Sequence, residues 1–165
     1  MKLCRKYVKG CVMTNKNNLY LRFSAISQNE AFARVCVASF LSTYNPTLDE
    51  LCDIKTAISE AVTNCVVHAY PEGCYGEIEM FVSVMCNEVY VRIKDNGVGI
   101  SDISKAKQPF FTTKPSAERS GMGFTVMEGF MDKLIVSSTL GCGTIIEMYK
   151  TIGVCNNVVC GAYNV

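Results

Sequence analysis

The stretch Ile78-Glu79-Met80-Phe81-Val82-Ser83-Val84, followed beyond the polar Asn87-Glu88 by Val89-Tyr90-Val91-Arg92-Ile93-Lys94-Asp95-Asn96-Gly97-Val98-Gly99, decides the fold. Apolar and polar residues alternate in both arms, the period of half-buried strands, and the polar break between them predicts an antiparallel hairpin. The second arm ends on a carboxylate, Asp95, with Gly97 and Gly99 just behind it. Glycines there let a ligand approach the backbone closely.

Working outward toward the N-terminus, Pro46 precedes Thr47 and Glu50 in capping-box spacing, and Leu51, Ile54, Ile58, Ala61, Val62 and Cys65 then recur on one helical face. This helix is expected to reach about His68 before Tyr70-Pro71-Glu72-Gly73 stops it. Ser27 and Glu30 open an earlier helix with the same spacing, its apolar residues being Phe32, Val35, Cys36 and Phe40. Before it, Leu19, Leu21 and Phe23 alternate with Tyr20, Arg22 and Ser24 as a strand. Toward the C-terminus, a polar loop with Pro109 and Pro115 leads to a helix carrying Phe124, Met127, Phe130 and Met131, then to strands Leu134 to Ser138 and Thr144 to Tyr149. The order β, α, α, β, β, α, β, β predicts an α+β fold, a two-layer α/β sandwich with helices on one face of a mixed, mostly antiparallel sheet. Residues 1–17 read as a loose leader, 18–150 as the domain and 151–165 as a weakly patterned tail. No internal repeat is visible.

The chain has 165 residues, enough for one domain with a hydrophobic core. Sixteen Lys+Arg against 15 Asp+Glu leave a formal charge of +1, too little field to grip a nucleic-acid backbone. No apolar run approaches the roughly 18 residues of a membrane span, and the first ten residues lack the apolar stretch of a secretory signal. A cytoplasmic protein is expected. The ten cysteines are irregularly spaced without a C-x-x-C pair, so they read as reduced thiols, and with a single histidine, His68, a zinc site has little support.

Three groups of residues can carry chemistry. Glu60 and Asn64 share one helical face, four residues apart. A carboxylate can take a proton from a hydroxyl, and an amide oxygen suits Mg²⁺ already held by phosphates, although alone such a pair is an ordinary solvated helix edge. Asp95 can accept from an amino group such as that of adenine, or can simply close a glycine turn. Gly121 and Gly123 precede a helix, where backbone N–H groups can receive a phosphate, with Lys114 and Arg119 close by as cations. This is no Walker A loop, since G-x-x-x-x-G-K-[ST] is absent.

In order and spacing, Glu60-Ala61-Val62-Thr63-Asn64, Asp95-Asn96-Gly97-Val98-Gly99-Ile100 and Glu118-Arg119-Ser120-Gly121-Met122-Gly123-Phe124 resemble the N box and two glycine boxes of the Bergerat-type ATP-binding fold. Narrower likenesses, in Phe23 to Glu30, Phe32 to Val35 and Gln108 to Pro115, resemble the anti-sigma-F factors of endospore-forming bacteria, small serine protein kinases, over about residues 18 to 150. The resemblance implies ATP and Mg²⁺ between helices and sheet, under a loop at about residues 100 to 120. It makes Glu60 the general base, Asn64 the Mg²⁺ ligand and Asp95 the reader of the adenine amine, with Gly97, Gly99 and Thr144 near the base. Ser120, Gly121, Met122 and Gly123 fall beside the phosphates, with Lys114 and Arg119 as their cations. Arg34 matches the position that touches protein partners.

Those partners would be a sporulation sigma factor, sigma F, held inactive, and an anti-anti-sigma protein phosphorylated on serine. A homodimer is implied as well. His68 lies on the ATP-site helix, not on a separate dimerisation helix as a phosphoacceptor would, so the phosphate is expected to pass to another protein. Gyrase-like and chaperone-like action would need further domains. A nucleotide-sensing anti-sigma module without kinase activity, and a switch kinase for another sigma factor, are the alternatives.

Overall fold

The structure, a computed structural model, describes residues 17–71, 73–111 and 121–153. Its elements are β1 (Asn17–Ser24), α1 (Gln28–Leu41), α2 (Leu48–Asn64), β2 (Glu77–Met85), β3 (Glu88–Asp95), α3 (Ile103–Ala106), α4 (Gly123–Phe130), β4 (Lys133–Thr139) and β5 (Gly143–Thr151). Among the described residues five strands form one sheet in the order β1-β2-β3-β5-β4. All four pairings are antiparallel.

The predicted hairpin forms with Met85 opposite Glu88, so its turn is Cys86-Asn87, both at positive φ (50° and 64°). That pair of left-handed residues matches the twist of the strands, as a two-residue I′ turn does. Alternation along the hairpin puts Ile78, Met80, Val82, Val89, Val91 and Ile93 in the core beneath α2, which contributes Ile54, Ala57, Ile58, Ala61 and Val62. One side of the sheet is thereby covered, giving two layers.

Helix α2 starts as its sequence predicts. The Thr47 hydroxyl accepts from Glu50 N at 3.2 Å, and Thr47 N donates to the Glu50 carboxylate at 2.7 Å, a complete capping box. The equivalent box at Ser27 does not form. Ser27 already has helical φ and ψ and makes no side-chain cap, while Glu30 accepts from Arg34 one turn on. The buried face of α1 also differs from the expected one: Ala33, Val37 and Leu41 are fully buried, whereas Phe32 and Val35 are 51% and 63% exposed. A stripe headed by alanine packs inward, and the larger side chains two or one positions earlier face out.

Strand β5 continues to Thr151, and Ile152 is buried, so ordered packing extends into residues 151–153. The 3₁₀ turn Ser42–Tyr44 and the short α3 follow no pattern visible in the sequence.

Candidate functional site

A cavity of about 500 Å³ opens between α2, the end of β3, α3, the start of α4 and β5. That is the size of a small-molecule site. Glu60, Asn64, Asp95, Gly99, Gly121, Met122, Gly123 and Thr144 line it, so the structure brings together residues that lie up to 84 positions apart (60 to 144).

Asp95 forms the inner end. Its side chain is 3% exposed, with Oδ1 accepting from Gly97 N at 2.9 Å and Thr144 N at 3.2 Å. The Cys65 thiol donates to Oδ2 at 3.6 Å. Burial, reinforced by the charge and hydrogen bond of Asp95, pushes the Cys65 thiol well above its usual range and keeps it a donor. In the sequence, Cys65 reads as core packing on the apolar face of α2. Nothing in the local pattern distinguishes a thiol that caps a carboxylate from one that fills space.

The backbone around Asp95 is built for close approach. Beyond Asn64, α2 widens into a π turn, Cys65–Ala69, and the Ala69 carbonyl accepts from Val98 N at 2.7 Å. A Cβ on Gly97 would lie 2.1 Å from that carbonyl oxygen, so only glycine lets the helix end rest on the turn. Gly99 has φ +74°, and a Cβ there would meet Thr139 O at 2.2 Å.

Ser138, unremarked in the sequence because it falls on an ordinary strand alternation, holds the opposite wall. Its hydroxyl accepts from Ile100 N at 2.8 Å and donates to Gly143 O at 2.8 Å. The Thr144 hydroxyl, 3.0 Å away, must then be the donor to Ser138, which leaves Thr144 only acceptor capacity toward anything else. Tyr70 links the same turn to β2, accepting from Asn96 N at 3.2 Å and donating to Glu77 O at 2.6 Å.

At the outer end, Glu60 and Asn64 stand side by side against the start of α4. A Cβ on Gly123 would lie 3.1 Å from Glu60 Oε2 and 3.2 and 3.3 Å from the two Asn64 side-chain polar atoms. The i, i+4 stripe therefore faces the first turn of a helix, whose N–H groups and dipole favour an anion. Gly121, at φ +65°, lets the chain pass Phe110: Phe110 N donates to Gly121 O at 3.1 Å, and a Cβ on Gly121 would come 2.6 Å from Phe110 C. Lys114, Arg119 and Ser120 lie outside the described residues.

Arg34 does not belong to this cavity. On α1 it donates to Glu30 at 3.0 Å and to Ser59 Oγ at 3.2 Å, lining a separate groove with Cys52, Lys55 and Thr56.

Residues 23–150 match the histidine kinase-like ATPase domain family. The chain is 53% identical over 135 residues to the anti-sigma F factors of Bacillus velezensis and Bacillus subtilis, covering 82% of this chain and 92% of each relative. To that of a Geobacillus species it is 51% identical over 137 residues, with 83% and 94% covered. Two solved structures share the fold at 16% identity. The RsbU and RsbW domains of Rv1364c from Mycobacterium tuberculosis superpose with TM-score 0.59 over 82% of this chain and 32% of that one. The catalytic domain of histidine kinase ThkA does so with TM-score 0.50 over 81% and 96%. With a Bergerat-type two-layer fold, an ATPase-domain match over most of its length and relatives at half identity, the chain belongs to the anti-sigma F factor family.

Proposed function

We propose that this protein is a cytoplasmic anti-sigma factor that holds a sporulation sigma factor, sigma F, inactive and that, as an ATP-dependent serine kinase, phosphorylates and thereby inactivates an anti-anti-sigma protein. One observation carries the reading: a single cavity has a buried carboxylate with backbone-saturated Oδ1 at one end and the Glu60–Asn64 pair against a helix N-terminus at the other. That polarity suits a nucleotide, amine-bearing base inward and phosphates outward.

In this reading Asp95 accepts from the exocyclic amine of adenine, with Gly97, Gly99 and Thr144 near the base. Glu60 takes the proton of the attacking serine hydroxyl as its oxygen bonds to the γ-phosphorus and the bond to the β–γ bridging oxygen breaks, leaving ADP. The amides from Gly121 through Met122 to Gly123 stabilise the phosphate charge, and Ser120, Lys114 and Arg119, outside the described residues, are assigned to phosphate binding as well. Mg²⁺ in such a site would be held mainly by the nucleotide phosphates. Asn64 would be its protein ligand. Bound there, Mg²⁺ would neutralise charge that develops on the transferred phosphoryl group.

Arg34, half-buried on α1 and outside the cavity, is assigned to partner contact, and the protein is assigned as a homodimer with residues 18–150 as the kinase domain. No helix of the described residues is long and apolar enough to cross a membrane.

The test is transfer of labelled γ-phosphate to the anti-anti-sigma protein. Glu60→Gln keeps the shape and deletes the base, so ATP should still bind while transfer falls by about 100-fold or more. Undiminished transfer by this variant would refute the role of Glu60. Capture of the sigma factor by wild-type protein that never phosphorylates would reduce the protein to a nucleotide-sensing binding module.

A further inference from the structure

The polyanion-binding end of the cavity needs cations, and among the described residues lining it the carboxylates of Glu60, Asp95 and Asp102 face a single lysine, Lys105. Its backbone is fixed. Lys105 N donates to Asp102 Oδ1 at 2.9 Å, capping α3, and the neighbouring Lys107 bridges to Glu128 of α4 at 2.6 Å, so α3 is tied to the helix whose first turn forms the phosphate wall. The Lys105 ammonium itself lies 5.2 Å from the centroid of the Phe111 ring and forms no ion pair with a carboxylate of the described residues. An ammonium over an aromatic face is attracted but only partly compensated, and its stem is flexible enough to reach a stronger acceptor.

We propose that Lys105 is a phosphate-binding residue of the nucleotide site: its ammonium moves from the Phe111 ring to the phosphate chain when nucleotide enters. This rests on the ATP reading given above. The alternative role for a lysine so placed is a solvated surface charge, which would leave nucleotide affinity untouched.

Calorimetric titration of the full chain and of Lys105→Met and Lys105→Arg with Mg-ATP and, separately, adenosine decides between them. Loss of a charge-assisted hydrogen bond should weaken ATP binding by Lys105→Met about tenfold or more while leaving adenosine binding unchanged, and Lys105→Arg should stay within about threefold of wild type for both. The wild-type affinity for ATP should also fall more steeply with added salt than that of Lys105→Met. Wild-type ATP affinity in Lys105→Met, or an equal loss for ATP and adenosine, overturns the assignment. Failure of the wild-type protein to bind either ligand overturns the ATP reading itself.

Discussion

Asp95 shows how one side chain can be committed on one oxygen and available on the other. Two backbone amides saturate Oδ1, and the Cys65 thiol reaches Oδ2 with a long, weak sulfur bond that an amine can supplement. Asp95→Asn preserves the acceptor for both amides and replaces Oδ2 with an NH₂ that faces the donors. ATP affinity measured by calorimetry should therefore drop about tenfold to 100-fold, the cost of an unpaired buried donor, while the urea midpoint changes little. At this scale the sequence was readable where a residue's chemistry is unusual for its place: a carboxylate ending a strand before two glycines, an acid and an amide four apart beside an apolar helix face. Cys65, Ser138 and Lys105 were not readable, because a thiol in a helix, a hydroxyl in a strand and a lysine in a short helical turn are common everywhere, and only the fold reveals what each one touches.

Among the elements, the junction of α2 with the turn after β3 is tightly constrained. The π turn brings the Ala69 carbonyl onto Val98 N, and Gly97 sits beneath it with no room for a methyl group. Gly97→Ala places a Cβ 2.1 Å from a backbone oxygen that cannot rotate away, so it should destabilise the protein by about 1–3 kcal/mol or more, read as a lowered urea midpoint, and weaken nucleotide binding with it. Strong periodicity made every long element legible, and the Thr47–Glu50 box located the start of α2 to the residue. Two readings failed on tertiary grounds. Ser27 lies in a chain segment already turned into helical geometry, and the inward face of α1 is chosen by close packing on its neighbours and not by the largest apolar side chains. The π turn itself has no compositional mark.

Across the molecule, Glu50 ties the start of α2 to the residues that follow β5. Besides closing the α2 capping box, its carboxylate accepts from Gly153 N at 3.1 Å on both oxygens, 103 residues away. Burial pushes the Glu50 carboxyl upward, but the amides of Thr47 and Gly153, the Thr47 hydroxyl and the Lys150 ammonium outweigh it and hold the group below its ordinary 4.5. A depressed acid contributes stability above 4.5 that is lost as pH falls through the lowered value. Urea midpoints taken from about pH 7 down to about pH 3 should accordingly fall less steeply for Glu50→Gln than for wild type, and parallel acid limbs would show that the clamp does not matter. This clamp is invisible in the sequence, since the residues around 153 carry no period and a long-range carboxylate–amide bond leaves no local trace. The strand order has a consequence of another kind. β5 is the last of the described strands yet lies between β3 and β4, and it supplies the Thr144 amide on Asp95. While the polypeptide emerges from the ribosome, the free edge of β3 must wait for β5, so the Asp95 end of the cavity is completed only once that strand has been translated.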